Sequence, residues 1–347
     1  MFVGKVEFRS LRTEFLILTY LLEFNETSTL EKKHKSTGFS SKILQFYRKR
    51  LLVAQPLALN LVKSTMLIFN TIDKIRDHLK HTTQAGKTVA LVPTMGALHN
   101  GHMRLVKEAV KQADHVVASI FVNPTQFNNA TDLEKYPRTV DADLKLLESH
   151  GCHAVFAPSE QEVYPEKPSI SIRFGSLESE LEGKFRPGHF SGVGLVVSKL
   201  LNIVNPDFAF FGQKDLQQFF VIKALVEQLN FKTQLRMVPI ERETSGLAMS
   251  SRNMRLSEAD RAEASLIHKA LIQSKNQLLR GDSVQSVKNQ VTELFKSSDR
   301  FTLEYFEVID TSDFKPLESI NYKENTALCI AAEIGQVRLI DNLMLIS

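Results

Sequence analysis

The chain has 347 residues, 43% of them apolar, which is enough to fill two domain cores of ordinary size. Its formal net charge of +4 is unevenly distributed, because residues 1–65 carry eleven Lys or Arg and five Glu, which leaves the remainder at −2. This near-neutral remainder excludes the broad basic surface typical of nucleic-acid binding, and continuous apolar runs such as residues 15–22 are shorter than the ~20 residues that cross a bilayer.

Residues 1–65 are basic and irregular, with no sustained helical or strand periodicity. The run FLILTYLL at 15–22 is typical of a signal-peptide core, but Glu23 and Glu26 stand where a small-residue cleavage site would follow. We therefore expect residues 1–65 to be an extension, either disordered or upstream of the true start, and the functional body to begin at Met66.

From Met66 the pattern alternates between strands and helices. An apolar start and an amphipathic helix come first, and apolar runs of strand length follow at 88–94, 115–123, 153–159, 207–212 and 234–241. Helical patterns lie between them at 106–113, 141–151, 192–204 and 216–229. Runs that are apolar on both faces and alternate with helices predict a doubly wound, Rossmann-like parallel sheet over residues 66–243.

The pattern changes after a loop that contains residues 241–253. Helices are predicted at about 258–280 and 283–297, and alternating strands at 301–310, 327–334 and 337–345. We expect residues 244–347 to form a smaller α+β lid domain, with the boundary near 241–247. The two cysteines, Cys152 and Cys329, are far apart and lack a Cys-x-x-Cys partner, so a disulfide framework is not expected and a reducing cytoplasm fits best.

Two histidines crowd the turn where the first central strand meets its helix. In PTMGALHNGHMRLV, residues 93–106, His99 and His102 follow the strand, and Gly101 between them permits close backbone approach. A helix that begins around His102 would also direct its N-terminal N–H groups at a ligand. The pair therefore favours phosphate binding, although half of a metal site or a surface coincidence would also fit the spacing.

Three further polar segments are predicted at the same edge of the sheet. FFGQKDLQQ at 210–218 offers Lys214 as a phosphate cation, although a solvated helix start would look the same. MSSRN at 249–253 combines hydroxyls with a guanidinium, as in an anion clamp, and SIFVNPTQF at 119–127 places amides just after a strand. Because parallel strands end at one edge, we expect these segments to converge there.

Together these segments resemble the pantothenate synthetases, the AMP-forming pantoate–β-alanine ligases. The matching motifs run in one order from Met66 to Ser347: PTMGALHNGH, SIFVNPTQF, YPRT at 136–139, GHFSGV at 188–193, NPDFAFFGQKDLQQ at 205–218 and GLAMSSRN at 246–253. The resemblance implies a nucleotidyltransferase-type fold that uses ATP and Mg²⁺. It also implies that pantoate attacks the α-phosphorus of ATP to give pantoyl adenylate and pyrophosphate, after which β-alanine displaces AMP.

The resemblance further implies an ATP site, with His102, His99, Lys214 and Arg252 as the catalytic group. The ATP ligands would be Met95, Gly96, His99, Gly101, His102, Gly212, Gln213, Lys214, Asp215, Glu241 through its backbone, Met249, Ser250, Ser251 and Arg252. In the family the second histidine, here His102, is taken as the proton donor to the phosphate. Two departures occur, Gln213 for an acidic residue and Leu216 for an aromatic one, and neither removes a ligand.

By the same resemblance, Gln126 and Gln218 would bind pantoate, and Gln126 would also lie near β-alanine. Asn123 and Tyr136 are secondary candidates, and Asp143 could help to hold magnesium. The family usually forms homodimers, and no nucleic-acid or membrane partner is expected. Another adenylyl- or cytidylyltransferase would explain the histidines but not the two amides, and a non-catalytic nucleotide sensor or RNA-binding module is the alternative from a different class.

Overall fold

A computed structural model describes residues 66–128, 130–320 and 323–346, which belong to the compact unit Thr65–Ser347. Its strands are β1 Leu67–Phe69, β2 Val89–Thr94, β3 His115–Ile120, β4 Ala154–Phe156, β5 Phe208–Gly212, β6 Gln234–Val238, β7 Phe301–Asp310, β8 Thr326–Ile334 and β9 Val337–Met344. Its helices are α1 Ile72–Gln84, α2 Asn100–Gln112, α3 Ala130–Glu134, α4 Val140–Ser149, α5 Glu160–Val163, α6 Leu181–Phe185, α7 His189–Val204, α8 Leu216–Gln228, α9 Glu258–Glu263, α10 Ser265–Arg280 and α11 Val284–Lys296. The predicted extension, residues 1–65, lies outside the described residues.

The first six strands form one parallel sheet in the order β1-β4-β3-β2-β5-β6. Along β2, Val89 and Leu91 belong to the core beneath α1, α7 and α8, whereas Ala90 and Val92 belong to the core beneath α2 and α4. Alternate residues of a strand point to opposite faces, so a continuous apolar run is what a sheet covered on both sides requires. The predicted doubly wound fold is confirmed.

Chain order reverses around β2, because β3 and β4 lie on one side of it and β5 and β6 on the other. At such a point the connections leave toward opposite faces of the sheet and open a crevice at the carboxyl ends of the strands. The segments that follow β2, β3, β5 and β6 are the four that carry the predicted polar motifs.

The C-terminal residues form the predicted smaller α+β region. Strands β7, β8 and β9 pair antiparallel in sequence order, and α10 and α11 share an apolar core with them. One predicted element differs: the helix expected over 258–280 is two helices, since α9 ends at Glu263 and α10 begins at Ser265. The boundary between 243 and 244 and a lid role for this region stay predictions.

No helix among residues 66–128, 130–320 and 323–346 is long and apolar enough to cross a membrane.

Three histidines cluster at the amino ends of β3 and β4. The Nε2 atoms of His78 and His115 are 3.1 Å apart, and the His115 and His153 rings lie 5.2 Å apart between centroids. Burial, together with the neighbouring His153 and His78 rings and Lys87, lowers the pKa of His115 to about 4. His115 is therefore neutral in the folded protein at pH values where a free imidazole is charged.

We expect acidification from pH 6.5 to 4.5 to destabilise the fold partly through His115. In this window the unfolded chain protonates the ring and the folded chain does not, so stability falls as pH falls. Because the ring is partly exposed, its contribution is on the order of 1 kcal/mol. Urea unfolding would measure this: between pH 6.5 and 4.5 the free energy of unfolding should fall less in His115→Gln than in the parent protein. The difference in free energy of unfolding between the two proteins at pH 7.5 serves as the reference. An equal fall in both proteins would contradict the assignment.

Candidate active site

A cavity of about 250 Å³ lies at the carboxyl ends of β2 and β5, where the chain order of the sheet reverses. Fifteen of the residues predicted from sequence line it: Met95, His99, Gly101, His102, Gln126, Tyr136, Gly212, Lys214, Asp215, Gln218, Glu241, Met249, Ser250, Ser251 and Arg252. Segments that are distant in the sequence therefore meet at one edge, as the parallel topology predicts. Gly96, Asn123, Asp143 and Gln213 do not line the cavity.

His99 and His102 cap the first turn of α2 reciprocally. His99 is the N-cap residue, so the helix begins at Asn100 and not around His102 as the sequence suggested. The backbone N–H of Gly101 donates to His99 Nδ1 at 3.1 Å, and the N–H of His99 donates to His102 Nδ1 at 3.3 Å. Since each Nδ1 accepts a hydrogen bond, a neutral ring must carry its proton on Nε2.

This arrangement differs in part from the prediction that the backbone N–H groups of α2 face the ligand. The N–H groups of His102 and Met103 donate to the carbonyl oxygen of His99, and that of Gly101 is bound by the His99 ring. The N–H groups of His99, Gly101, His102 and Met103 are thus satisfied within the protein. The two imidazole rings, which line the cavity, present Nε2–H donors in their place.

Both imidazoles are neutral at pH 7. Burial and the charge of Lys214 lower the pKa of His99 to about 4. Burial, with the adjacent His99 and Lys214, holds the pKa of His102 well below its usual 6.5. The positive charge of the site must therefore come from other side chains.

Lys214 supplies one of these charges from the turn between β5 and α8. Its Nζ lies 3.4 Å from Asp215 Oδ1. Burial acts to raise the pKa of Asp215, but Lys214 and then Arg252 and Arg186 outweigh it, and the pKa is lowered. Asp215 is thus a carboxylate that neutralises part of a cluster of three cations.

The loop that carries Arg252 is tied to the loop after β2. Ser251 Oγ donates to the carbonyl oxygen of Ala97 at 2.9 Å, and the Ser250 hydroxyl accepts the N–H of Arg252 at 3.2 Å. The guanidinium of Arg252 contacts Asp132 Oδ2 at 3.2 Å. Arg252 is therefore held at the cavity by an acidic side chain from α3.

Glu241 lines the cavity, and its predicted role as a backbone ligand of ATP stays a prediction. Its carbonyl oxygen accepts the N–H of Met249 at 2.9 Å, and its carboxylate pairs with Arg104 at 2.9 Å. Both contacts join the segment after β6 to neighbouring parts of the site.

Asn123 does not line the cavity itself, but its side chain holds that of Gln126, which does. Asn123 Nδ2 donates to Gln126 Oε1 at 3.0 Å, and Tyr164 OH donates to Asn123 Oδ1 at 2.9 Å. The other end of the Gln126 amide, Nε2, is 3.2 Å from Met95 Sδ. A thioether is a weak acceptor, so the Gln126 N–H groups stay available to a substrate oxygen.

Asp143 and Gly96 stabilise the loop after β2. The two carboxylate oxygens of Asp143 accept the N–H groups of Ala97 at 2.9 Å and Leu98 at 2.8 Å. Gly96 has φ +81°, and a Cβ there would come within 3.1 Å of Asp143 Oδ2. A magnesium role for Asp143 stays a prediction, whereas these contacts are those of a structural support.

Two glutamines near Lys214 also turn inward to the protein. Gln213 Nε2 donates to Asn342 Oδ1 at 3.2 Å, and Gln217 is buried with its Oε1 accepting the N–H of Glu182 at 3.0 Å. Gln218 reaches the cavity, as the sequence predicted for a residue one turn from Lys214.

Arg186, Glu182 and His189 line the cavity and were missed from the sequence. Arg186 lies 3.8 Å from Glu182 and 3.1 Å from His189 Nε2, and Arg338 and Tyr305 also bind Glu182. Burial and the charge of Arg186 lower the pKa of His189 to about 4. The available signal was the Pro-Gly turn before α7: His189 lies within GHFSGV at 188–193, a motif to which no residue role was assigned, and Arg186 lies two residues before it.

The chain is similar to known proteins over almost all of the described residues. A family model described as pantoate-beta-alanine ligase matches residues 67–344. Pantothenate synthetase of Porphyromonas gingivalis strain W83 is 46% identical over 278 residues, which cover 80% of this chain and 99% of that protein.

Solved structures agree with this similarity. Pantothenate synthetase from Thermus thermophilus matches with a TM-score of 0.76 and 36% identity, over 81% of this chain and 100% of that one. The Francisella tularensis pantoate-beta-alanine ligase, complexed with β-γ ATP and β-alanine, matches with a TM-score of 0.67 and 35% identity, over 81% of this chain and 98% of that one. The chain therefore belongs to the pantoate–β-alanine ligase family, the pantothenate synthetases.

Proposed function

We propose that the cavity binds ATP beside pantoate and forms pantoyl adenylate and pyrophosphate, after which β-alanine displaces AMP. The overall reaction, ATP-dependent condensation of pantoate with β-alanine, is that of the family to which the chain belongs. The observation that carries the residue assignment is that the imidazoles, the cations and the amides line one cavity.

The first step requires neutralisation of charge and not a base. The carboxylate of pantoate is already ionised at neutral pH, with a reference pKa of about 4, and it must approach a polyanion. Lys214, Arg252 and Arg186 supply positive charge from three different segments. Neutral His99 and His102 add Nε2–H donors that can bind the phosphate oxygens as negative charge develops.

Asp215, Asp132 and Glu182 balance these cations in the protein without ligand. A bound triphosphate would compete with the acidic partners for Lys214 and Arg252. It would also raise the affinity of both imidazoles for protons, because negative charge nearby favours the charged form.

Pantoate fits the end of the cavity that combines amides with apolar side chains. Gln126 and Gln218 can hydrogen-bond its hydroxyls without adding a charge that would compete with the reacting carboxylate. Val193, Val197 and Leu200 of α7 line the same cavity and suit a branched carbon skeleton. Gln126 is also proposed to contact β-alanine, which is bound in the Francisella structure.

We propose that magnesium enters with the phosphates. Among residues 66–128, 130–320 and 323–346, no group of three or more His, Cys, Asp or Glu could hold a metal ion. A site that offers a single carboxylate to the ion fits Mg²⁺, because this ion usually keeps several waters and binds substrate phosphates with only one or two carboxylates. Asp215, whose pKa is lowered and which lines the cavity, is the carboxylate proposed for this contact.

We further propose a cytoplasmic homodimer. The cytoplasmic location is supported by two cysteines that are both free and buried, and the homodimer by the usual state of the family.

Lys214→Ala should lower the rate of pantoate-dependent ATP–pyrophosphate exchange by about 10²–10³-fold, because it removes a cation next to the developing charge. The melting temperature should change little, since the side chain lies at a polar cavity and not in an apolar core. Lys223→Ala on α8, which removes a lysine paired with Glu227, is the matched control. Exchange at the parental rate in Lys214→Ala, or exchange that does not need pantoate, would contradict the assignment.

The two roles of the His102 ring should separate in two substitutions. An Asn side chain can place an acceptor near the position of Nδ1, so His102→Asn should keep the α2 cap and melt within a few degrees of the parent, yet lose about 10²-fold or more in exchange. A Gln side chain can instead place a donor near Nε2, so His102→Gln should retain more exchange activity. Greater activity in the Asn variant would contradict donation from Nε2.

Gln126→Ala should raise the KM for pantoate by about 10–100-fold and leave the KM for ATP within about threefold, because a buried hydrogen-bond partner of the hydroxy acid is lost. Gln112→Ala, which removes an amide that contacts Arg236 outside the cavity, is the control. Initial-rate measurements with each substrate varied in turn would show this. A change confined to the KM for ATP would contradict the assignment of Gln126 to the pantoate subsite.

A further inference from the structure

The side chain of Asn342, on β9, holds the segment that carries Lys214. Its Nδ2 donates one hydrogen bond to the carbonyl oxygen of Gln213 and one to that of Lys214, each at 2.9 Å. Its Oδ1 accepts a hydrogen bond from Gln213 Nε2 at 3.2 Å. Asn342 is among the residues that line the cavity, but its side chain is buried and both of its amide hydrogens are used within the protein. Asn342 is therefore suited to orient a neighbour and not to bind a substrate.

These two carbonyl groups belong to the peptide units on either side of the Lys214 Cα. When both peptide units are fixed, the backbone dihedral angles of Lys214 are fixed, and so is the direction in which its side chain leaves the backbone. The place of the Lys214 ammonium thus depends on a side chain from a strand 128 residues away.

The neighbouring Asp341 links the same strand to the segment after β6 through Arg242. Its carboxylate pairs with both terminal nitrogens of Arg242, at 2.6 and 3.0 Å, and its Oδ1 accepts the N–H of Asn342 at 2.7 Å. Arg242 Nη1 also donates to the carbonyl oxygen of Gly246 at 3.1 Å, in the loop that leads to Arg252. Two adjacent residues of β9 therefore hold both the Lys214 segment and, through Arg242, the loop that leads to Arg252.

We propose that Asn342 is a positioning residue for adenylate formation, which it serves by fixing Lys214 relative to the Arg252 loop. Misplacement of a catalytic group by about 1 Å can lower a rate about 10²-fold, so a side chain that only orients Lys214 can control activity. This inference rests on the role proposed above for Lys214.

Asn342→Asp tests the inference with almost no change of shape. The new carboxylate cannot donate and would face the two carbonyl oxygens, so kcat/KM for ATP in pantoate-dependent exchange should fall about 10–100-fold, while the KM for pantoate stays within about threefold. Asn342→Ala removes the same donors without adding a charge, and it should also lower kcat/KM for ATP. Gln277→Glu, at a buried amide of α10 outside the cavity, is the matched control and should keep parental kinetics.

A double-mutant cycle with Lys214→Ala separates positioning from a general loss of structure. If Asn342 acts through Lys214, either Asn342 substitution should cost less than about threefold in the Lys214→Ala background. The same 10–100-fold cost in both backgrounds would overturn the inference while leaving the role of Lys214 intact. Parental exchange in Lys214→Ala alone would overturn the role of Lys214 and, with it, this inference.

Discussion

The reciprocal capping of α2 by His99 and His102 is the interaction on which the site depends. A helix start leaves backbone N–H groups without partners, and here an imidazole Nδ1 accepts from Gly101 while another accepts from His99 itself. The same bonds force each neutral ring to carry its proton on Nε2, toward the cavity. The three-residue spacing of the histidines follows from this geometry, because it joins the N-cap residue to the third residue of the helix. One pair of side chains thus begins a helix and supplies two oriented donors.

Charge in the site is divided between neutral donors and paired cations. Burial, together with the charge of the adjacent Lys214, keeps His99 and His102 neutral, so the cavity does not collect five positive charges in a small volume. Lys214, Arg252 and Arg186 each lie near an acidic side chain, namely Asp215, Asp132 and Glu182. These pairs lower the cost of holding cations together before a polyanion arrives. The anion can then take over contacts that the acidic side chains provide in its absence.

Much of the fold and site follows from the sequence because local patterns report strand length, burial on two faces and chain order. These are sufficient to predict a parallel sheet and to place four polar segments at its carboxyl edge. Contacts between distant segments leave no such pattern. The amino-acid sequence does not show that Gln213 binds Asn342, that Asp143 binds the loop after β2, or that Arg186 reaches the cavity from the turn before α7. The start of α2 was misplaced for a related reason: histidine is an uncommon N-cap residue, so the usual Ser, Thr, Asp or Asn signal was absent.

The most direct test of this account is the protonation of the two histidines in the protein without ligand. Nitrogen-15 NMR of histidine-labelled protein distinguishes the two neutral tautomers and the charged imidazolium, and the signals can be assigned with His99→Asn and His102→Asn. Both rings should be neutral at pH 7 with the proton on Nε2, and His99 should stay neutral down to about pH 5. A charged ring at pH 7, or a proton on Nδ1 of either ring, would contradict the account.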